Sequence, residues 1–118
     1  MSDFSKKLCL ALEVDLKESN LKYESVKYFR QNMISVIIWI ITMSFFYNKK
    51  ELNVEDIYRR VNEIVRTSRP SVMKYLDEAK RKNYLQFTMS RNDKRAYSIT
   101  PSEITIYEFE KWSEVFRI

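Results

Sequence analysis

Two groups of side chains in this sequence combine cationic and hydrogen-bonding residues at close spacing. The first is Ser68, Arg69, Ser71, Lys74 and Tyr75; the second is Arg91, Asn92, Lys94 and Arg95, with Asp93 between them. Guanidinium and ammonium groups meet phosphate oxygens, while hydroxyl, phenol and amide groups reach phosphate or base edges. The chemistry on offer is contact with a polyanion rather than bond making. Charge distribution points the same way: residues 66–95 carry nine bases against three acids, whereas residues 101–118 carry two bases against four acids. A net charge of +5 is thus concentrated in one segment, as on a surface that meets nucleic acid.

The missing residue types narrow the chemistry further. With 0 His, no Ser-His-Asp or Cys-His relay can be built, and the single cysteine, Cys9, makes neither a zinc site nor an intrachain disulfide. With 0 Gly there is no glycine-rich phosphate loop. The expectation is a non-enzyme with no metal and no cofactor. Cys9 reads as inert and partly buried. At 118 residues with 45% hydrophobic content, the chain can bury one core, and the expectation is a single domain. The most apolar run, Met33 to Tyr47, is shorter than the roughly 20 residues a membrane span needs and contains Ser35, Thr42 and Ser44. No secretory signal is legible at Met1–Lys7, and the expected location is the cytoplasm.

The elements that must position the two groups follow from periodicity and capping. Leu8, Leu12 and Leu16 predict a first helix over about residues 5–18, ended by Ser19 and Asn20. A second, long helix is expected from Tyr23 to Tyr47, with an inner stripe of Val26, Phe29, Met33, Val36, Ile40, Met43 and Tyr47; its apolar neighbours make it a buried central post or half of a subunit interface. Leu52 fits a short strand. Asn53, with Asp56 three residues on, caps a third helix whose inner face is Ile57, Val61 and Ile64 or Val65. Ser68 caps a fourth helix with Pro70 in its first turn and Val72, Leu76 and Ala79 facing the core, ending at Asn83. Tyr84–Ser90 and Ala96–Thr100 alternate as two strands around a charged turn. Thr100 to Glu103 reads as a capping box with proline at the first helical position, opening a last helix with Ile106, Phe109, Trp112 and Phe116 inside. Met73 and Tyr84 read as core.

A helix pair followed by a basic hairpin and a closing helix is the layout of a winged helix-turn-helix. At this point the sequence resembles the multiple-antibiotic-resistance (MarR) type of winged-helix transcription regulators. The matching residues are the run from Ser68 through Asn83 to Leu85, which resembles the family's recognition helix and its exit into the wing. Asp93-Lys94-Arg95, followed by Ile99-Thr100, resembles its wing pattern. The resemblance spans about residues 34–105. It departs at Asn83, where the family usually has glycine, in a longer stretch between the paired helices, and in a shorter helical tail.

The resulting expectation is a mainly α fold with a small β-hairpin wing, a winged helix-turn-helix with helices at both ends forming a dimer interface. Residues 1–47 would supply N-terminal core and dimerisation helices, 51–100 the winged helix-turn-helix, and 101–118 the C-terminal helix. The resemblance implies a homodimer that reads a pseudo-palindromic operator in double-stranded DNA, under control of a small-molecule effector. In it Arg69, Ser71 and Lys74 would touch bases or nearby phosphates, flanked by Ser68 and Tyr75. Arg91, Asn92, Lys94 and Arg95 would contact DNA from the wing, and Asp93 would steady the wing. Two other readings stay open: a winged-helix adaptor for proteins, and an architectural or replication-linked DNA binder without regulatory logic.

Overall fold

The computed structural model describes residues 2–90 and 97–117, with residues 18–21 described by backbone alone. The molecule extends 50 × 30 × 24 Å. Its order is α1 (Asp3–Lys22), α2 (Glu24–Phe29), α3 (Met33–Tyr47), α4 (Val54–Ile64), α5 (Arg69–Arg81), β1 (Leu85–Met89), β2 (Tyr97–Pro101) and α6 (Glu103–Ser113), closed by a 3₁₀ turn at Glu114–Phe116. No helix among the described residues is long and apolar enough to cross a membrane.

The mainly α architecture with a two-stranded hairpin is as expected, but the N-terminal half differs in detail. α1 runs through Ser19 and Asn20 to Lys22, because these residues are only mildly unfavourable in a helix and no glycine or proline stops it. The single long second helix is instead two. Arg30 ends α2, and Asn32, in extended conformation, caps α3 by accepting a 2.9 Å hydrogen bond from the Ser35 amide. Three non-helical residues, 30–32, shift the helical phase. Beyond Phe29 the inner stripe expected for a continuous helix therefore holds fully only at Met43, which is buried. Met33, Ile40 and Tyr47 are exposed, Val36 is half-buried, and Ile37, Ile38, Trp39 and Ile41 fill the core instead.

The winged half keeps closer to its sequence signals. Asn53 and Asp56 form a reciprocal capping box, the Asp56 amide donating to Asn53 Oδ1 at 2.8 Å. Ile57 and Val61 are fully buried; Val65 packs on the core and Ile64 is exposed. Leu52 forms no strand of its own, yet its carbonyl accepts from the Ile99 amide at 2.7 Å, tying the approach to α4 to the wing. The hairpin pairs Leu85 with Pro101 and Met89 with Tyr97. Leu85 and Ile99 anchor its base in the core, whereas Met89 and Tyr97 are exposed towards its tip. The capping position of α6 is Ser102, not Thr100; its hydroxyl accepts from the Thr105 amide at 3.4 Å, and Pro101 ends β2.

α6 meets α3 through aromatic rings: Trp39 lies 5.3 Å from Phe109 and 4.8 Å from Trp112, centroid to centroid. Two buried carboxylates complete this junction. Glu108 accepts from the Ser25 amide at 2.9 Å and from the Ser25 hydroxyl, at the start of α2. Asp15 accepts from Arg30 at 2.8 Å and from the Trp112 indole at 2.6 Å, linking α1 to both α2 and α6. Cys9 is exposed, not partly buried.

Candidate nucleic-acid interface

α5 is the element on which the first group of candidate residues stands. Ser68 caps it by accepting from the Ser71 amide at 3.3 Å, and Pro70 sits in the first turn, where the missing amide hydrogen costs nothing. Val72, Leu76 and Ala79 are at most 1% exposed, part of one core cluster in which α5 meets α3 and β1. This burial fixes which face points out. Pro70, Lys74, Asp77 and Arg81, spaced by four, three and four residues, are all exposed along one stripe. Asn83 takes a positive φ of 63°, with the Tyr84 amide bonded to the Ala79 carbonyl at 2.8 Å and the Asn83 amide to the Lys80 carbonyl at 3.0 Å. These two bonds close the helix as a Schellman motif, which asparagine adopts here in a chain without glycine. The same closure recurs at Lys49, φ 56°, at the end of α3.

The candidate side chains differ in what engages them. Lys74 is exposed, its Nζ 5.5 Å from the Tyr75 ring centre. Tyr75 itself is half-buried against the core, and its carbonyl accepts from the Tyr28 hydroxyl at 2.7 Å. Burial and the nearby Glu78 carboxylate push the Tyr28 phenol well above the usual tyrosine range, so it remains a hydrogen-bond donor. Ser71 is half-buried and its hydroxyl bonds that of Ser68 at 3.0 Å. Arg69 is exposed but engaged: its two terminal nitrogens reach the two Glu55 oxygens at 2.5 and 2.8 Å, and its guanidinium lies 4.7 Å from the Tyr58 ring centre. That hydrogen-bonded fork holds the Glu55 carboxyl below the usual carboxylate range.

The second group, Arg91, Asn92, Asp93, Lys94 and Arg95, lies outside the described residues. The strands that carry it are in place, and Lys80 Nζ of α5, 5.1 Å from the Phe87 ring centre, bridges the helix to β1. The base of the wing therefore stands beside α5.

Glu55, Tyr58 and Tyr28 were not legible as parts of this region. Glu55 sits 14 residues before Arg69, and no periodicity links positions on two separate helices. A groove of about 550 Å³ lies where α2 meets α5 and the start of β1, lined by Glu24, Lys27, Tyr28, Arg30, Glu78 and Tyr84 among others.

Neither a family model nor a curated protein matches this chain in sequence. Solved structures do match in shape. The S. aureus MepR–DNA complex aligns with TM-score 0.62 at 15% identity, covering 98% of this chain and 83% of that one. S. aureus MepR bound to ethidium bromide aligns with TM-score 0.64 at 14% identity, over 98% and 76%. The transcriptional repressor CouR bound to a 23-mer DNA duplex aligns with TM-score 0.57 at 12% identity, over 94% and 70%. The fold is thus the winged helix of MarR-type regulators, in agreement with the resemblance carried by the residues from Ser68 to Leu85.

Proposed function

We propose that this chain is a sequence-specific regulator of transcription that binds double-stranded DNA, with α5 in the major groove and the wing against the neighbouring backbone. The observation that carries this reading is the exposed stripe of α5, with Lys74 and Arg81 opposite a fully buried Val72–Leu76–Ala79 face, next to the base of a hairpin whose tip sequence is basic. The major groove, about 12 Å wide, admits one helix presented in this way. An adaptor for proteins has no need of cations on both elements, which favours DNA over the adaptor reading. In this reading Arg69, Ser71 and Lys74 act at or near base edges, with Ser68 and Tyr75 beside them. Arg91, Asn92, Lys94 and Arg95 bind phosphate or minor groove, and Asp93 steadies the wing.

The chain acts as a homodimer. Phe4, Leu10, Leu12, Val14 and Leu16 of α1 are all exposed, an apolar surface that a second copy would cover. The groove between α2 and α5 suits a small-molecule effector. It joins aromatic rings to charges of both signs, and it touches α5 through Glu78.

Selection of bound sequences from random duplexes at stated salt tests the reading. One operator with two half-sites about one helical turn apart supports a dimeric regulator, whereas uniform retention supports an architectural binder. Lys74→Ala should then weaken the selected operator by about 1–3 kcal/mol and relax preference at one position. Equal loss on all sequences rejects a base-reading role for Lys74.

A further inference from the structure

The engagement of Arg69 goes beyond a surface ion pair. Glu55 and Tyr58 stand three residues apart on α4, hence on one face of that helix. From there they grip a single guanidinium in two ways: the carboxylate takes its outer edge through two hydrogen bonds, and the ring lies 4.7 Å from its centre. Exposed ion pairs usually hold their partners loosely, but a bidentate arginine–carboxylate fork is the favourable exception, and the ring contact restricts the guanidinium further. A guanidinium carries five donor hydrogens. With the edge between the two terminal nitrogens occupied, the edge that includes Nε remains, in a fixed orientation at the N-terminal end of α5.

We infer that Glu55 and Tyr58 are positioning residues for DNA recognition. They hold Arg69 so that its remaining donors meet one base or phosphate of the operator, and they withhold its charge from arbitrary phosphates. The inference rests on the DNA-binding reading of α5 and deepens it by assigning specificity to the facing helix. Ordering the arginine before binding removes an entropic cost from the specific complex. Neutralising it lowers the affinity for any duplex, which depends on the number of phosphates met by cations. Glu55 therefore raises the ratio of specific to non-specific binding from both directions.

The experiment measures binding of the full chain to its selected operator and to a random duplex between 50 and 200 mM salt. Glu55→Gln should weaken the operator several-fold while strengthening the random duplex. On the random duplex the salt slope should steepen by about 0.9, so the gain over wild type at 50 mM is roughly three to four times that at 200 mM. In an Arg69→Ala background, Glu55→Gln should change neither duplex. Stronger binding to both duplexes, or an effect that persists without Arg69, overturns the inference and leaves a general charge effect. An unchanged thermal midpoint for Glu55→Gln shows that the fold is intact, since both partners are exposed. A wild-type chain that binds no duplex at 50 mM rejects the DNA-binding reading itself, and this inference with it. A wild type that binds while the variants behave otherwise rejects only the inference.

Discussion

α5 and α1 are built in opposite senses. On α5 the buried residues are apolar, Val72, Leu76 and Ala79, and the outer stripe is largely charged. Among the described side chains of α1 the buried ones are Ala11 and a carboxylate, Asp15, while Phe4, Leu10, Leu12, Val14 and Leu16 are exposed. A helix of the first kind is complete within one chain and offers its polar face to a polar partner. A helix of the second kind is held to its own chain partly by hydrogen bonds and leaves apolar area for another surface to cover.

That contrast can be broken most severely on α1. Leu12→Glu combined with Leu16→Lys places two charges on the outward face, while their spacing supports the helix itself. Light scattering at micromolar concentration should change from dimer to monomer mass, with helical circular dichroism retained. A persistent dimer would place the interface elsewhere and remove the distinction between the two helices. On α5 the vulnerable side is the inner one. Leu76→Ala should lower folding stability by about 3 kcal/mol, read from the midpoint of denaturant unfolding. A loss below 1 kcal/mol would mean that α5 does not depend on its apolar face.

Asp15 sharpens the comparison at a smaller scale. Asp15→Ala leaves Arg30 and the Trp112 indole without their carboxylate, and should cost about 2 kcal/mol, with Arg30 partly relieved by water. Tryptophan fluorescence followed through the transition should report the change at Trp112. An unaltered midpoint would show that packing alone holds α1.

The smallest effect concerns Tyr28, which ties α2 to the backbone of α5. Its phenol is pushed up by burial and by Glu78, so the unfolded chain ionises this group near pH ~10 while the folded protein keeps it protonated. The corresponding stability is present below that pH and is lost as pH rises above it. Tyr28→Phe should flatten the alkaline limb of the stability profile without abolishing it, because Tyr47 and Tyr84 are shifted in the same direction. An identical alkaline slope in the variant would remove Tyr28 from this account.

Local signals carried much of the winged half. Asn53 and Ser68 announce their helices because a capping side chain bonds amides only two or three residues away, and Asn83 announces its end for a similarly local reason. The alternation in β1 and β2 announces the hairpin, although Met89 and Tyr97, at the end away from the core, are exposed. α3 defeated the same approach. Nearly every residue there is apolar, so no stripe distinguishes an inner from an outer face, and the cap at Asn32 was hidden inside what read as one long helix.

The sequence alone determined the capped helices α4 and α5, the buried face of α5, the basic character of the wing tip and the absence of histidine and glycine chemistry, because each depends on residue type or on neighbours within a few positions. Only the tertiary structure decided that Arg69 meets Glu55 and Tyr58, that Asp15 joins Arg30 to Trp112, and that Tyr28 reaches the Tyr75 carbonyl. Those contacts join residues 11 to 97 positions apart, and a chain's local preferences carry no record of which distant side chains its helices will bring face to face.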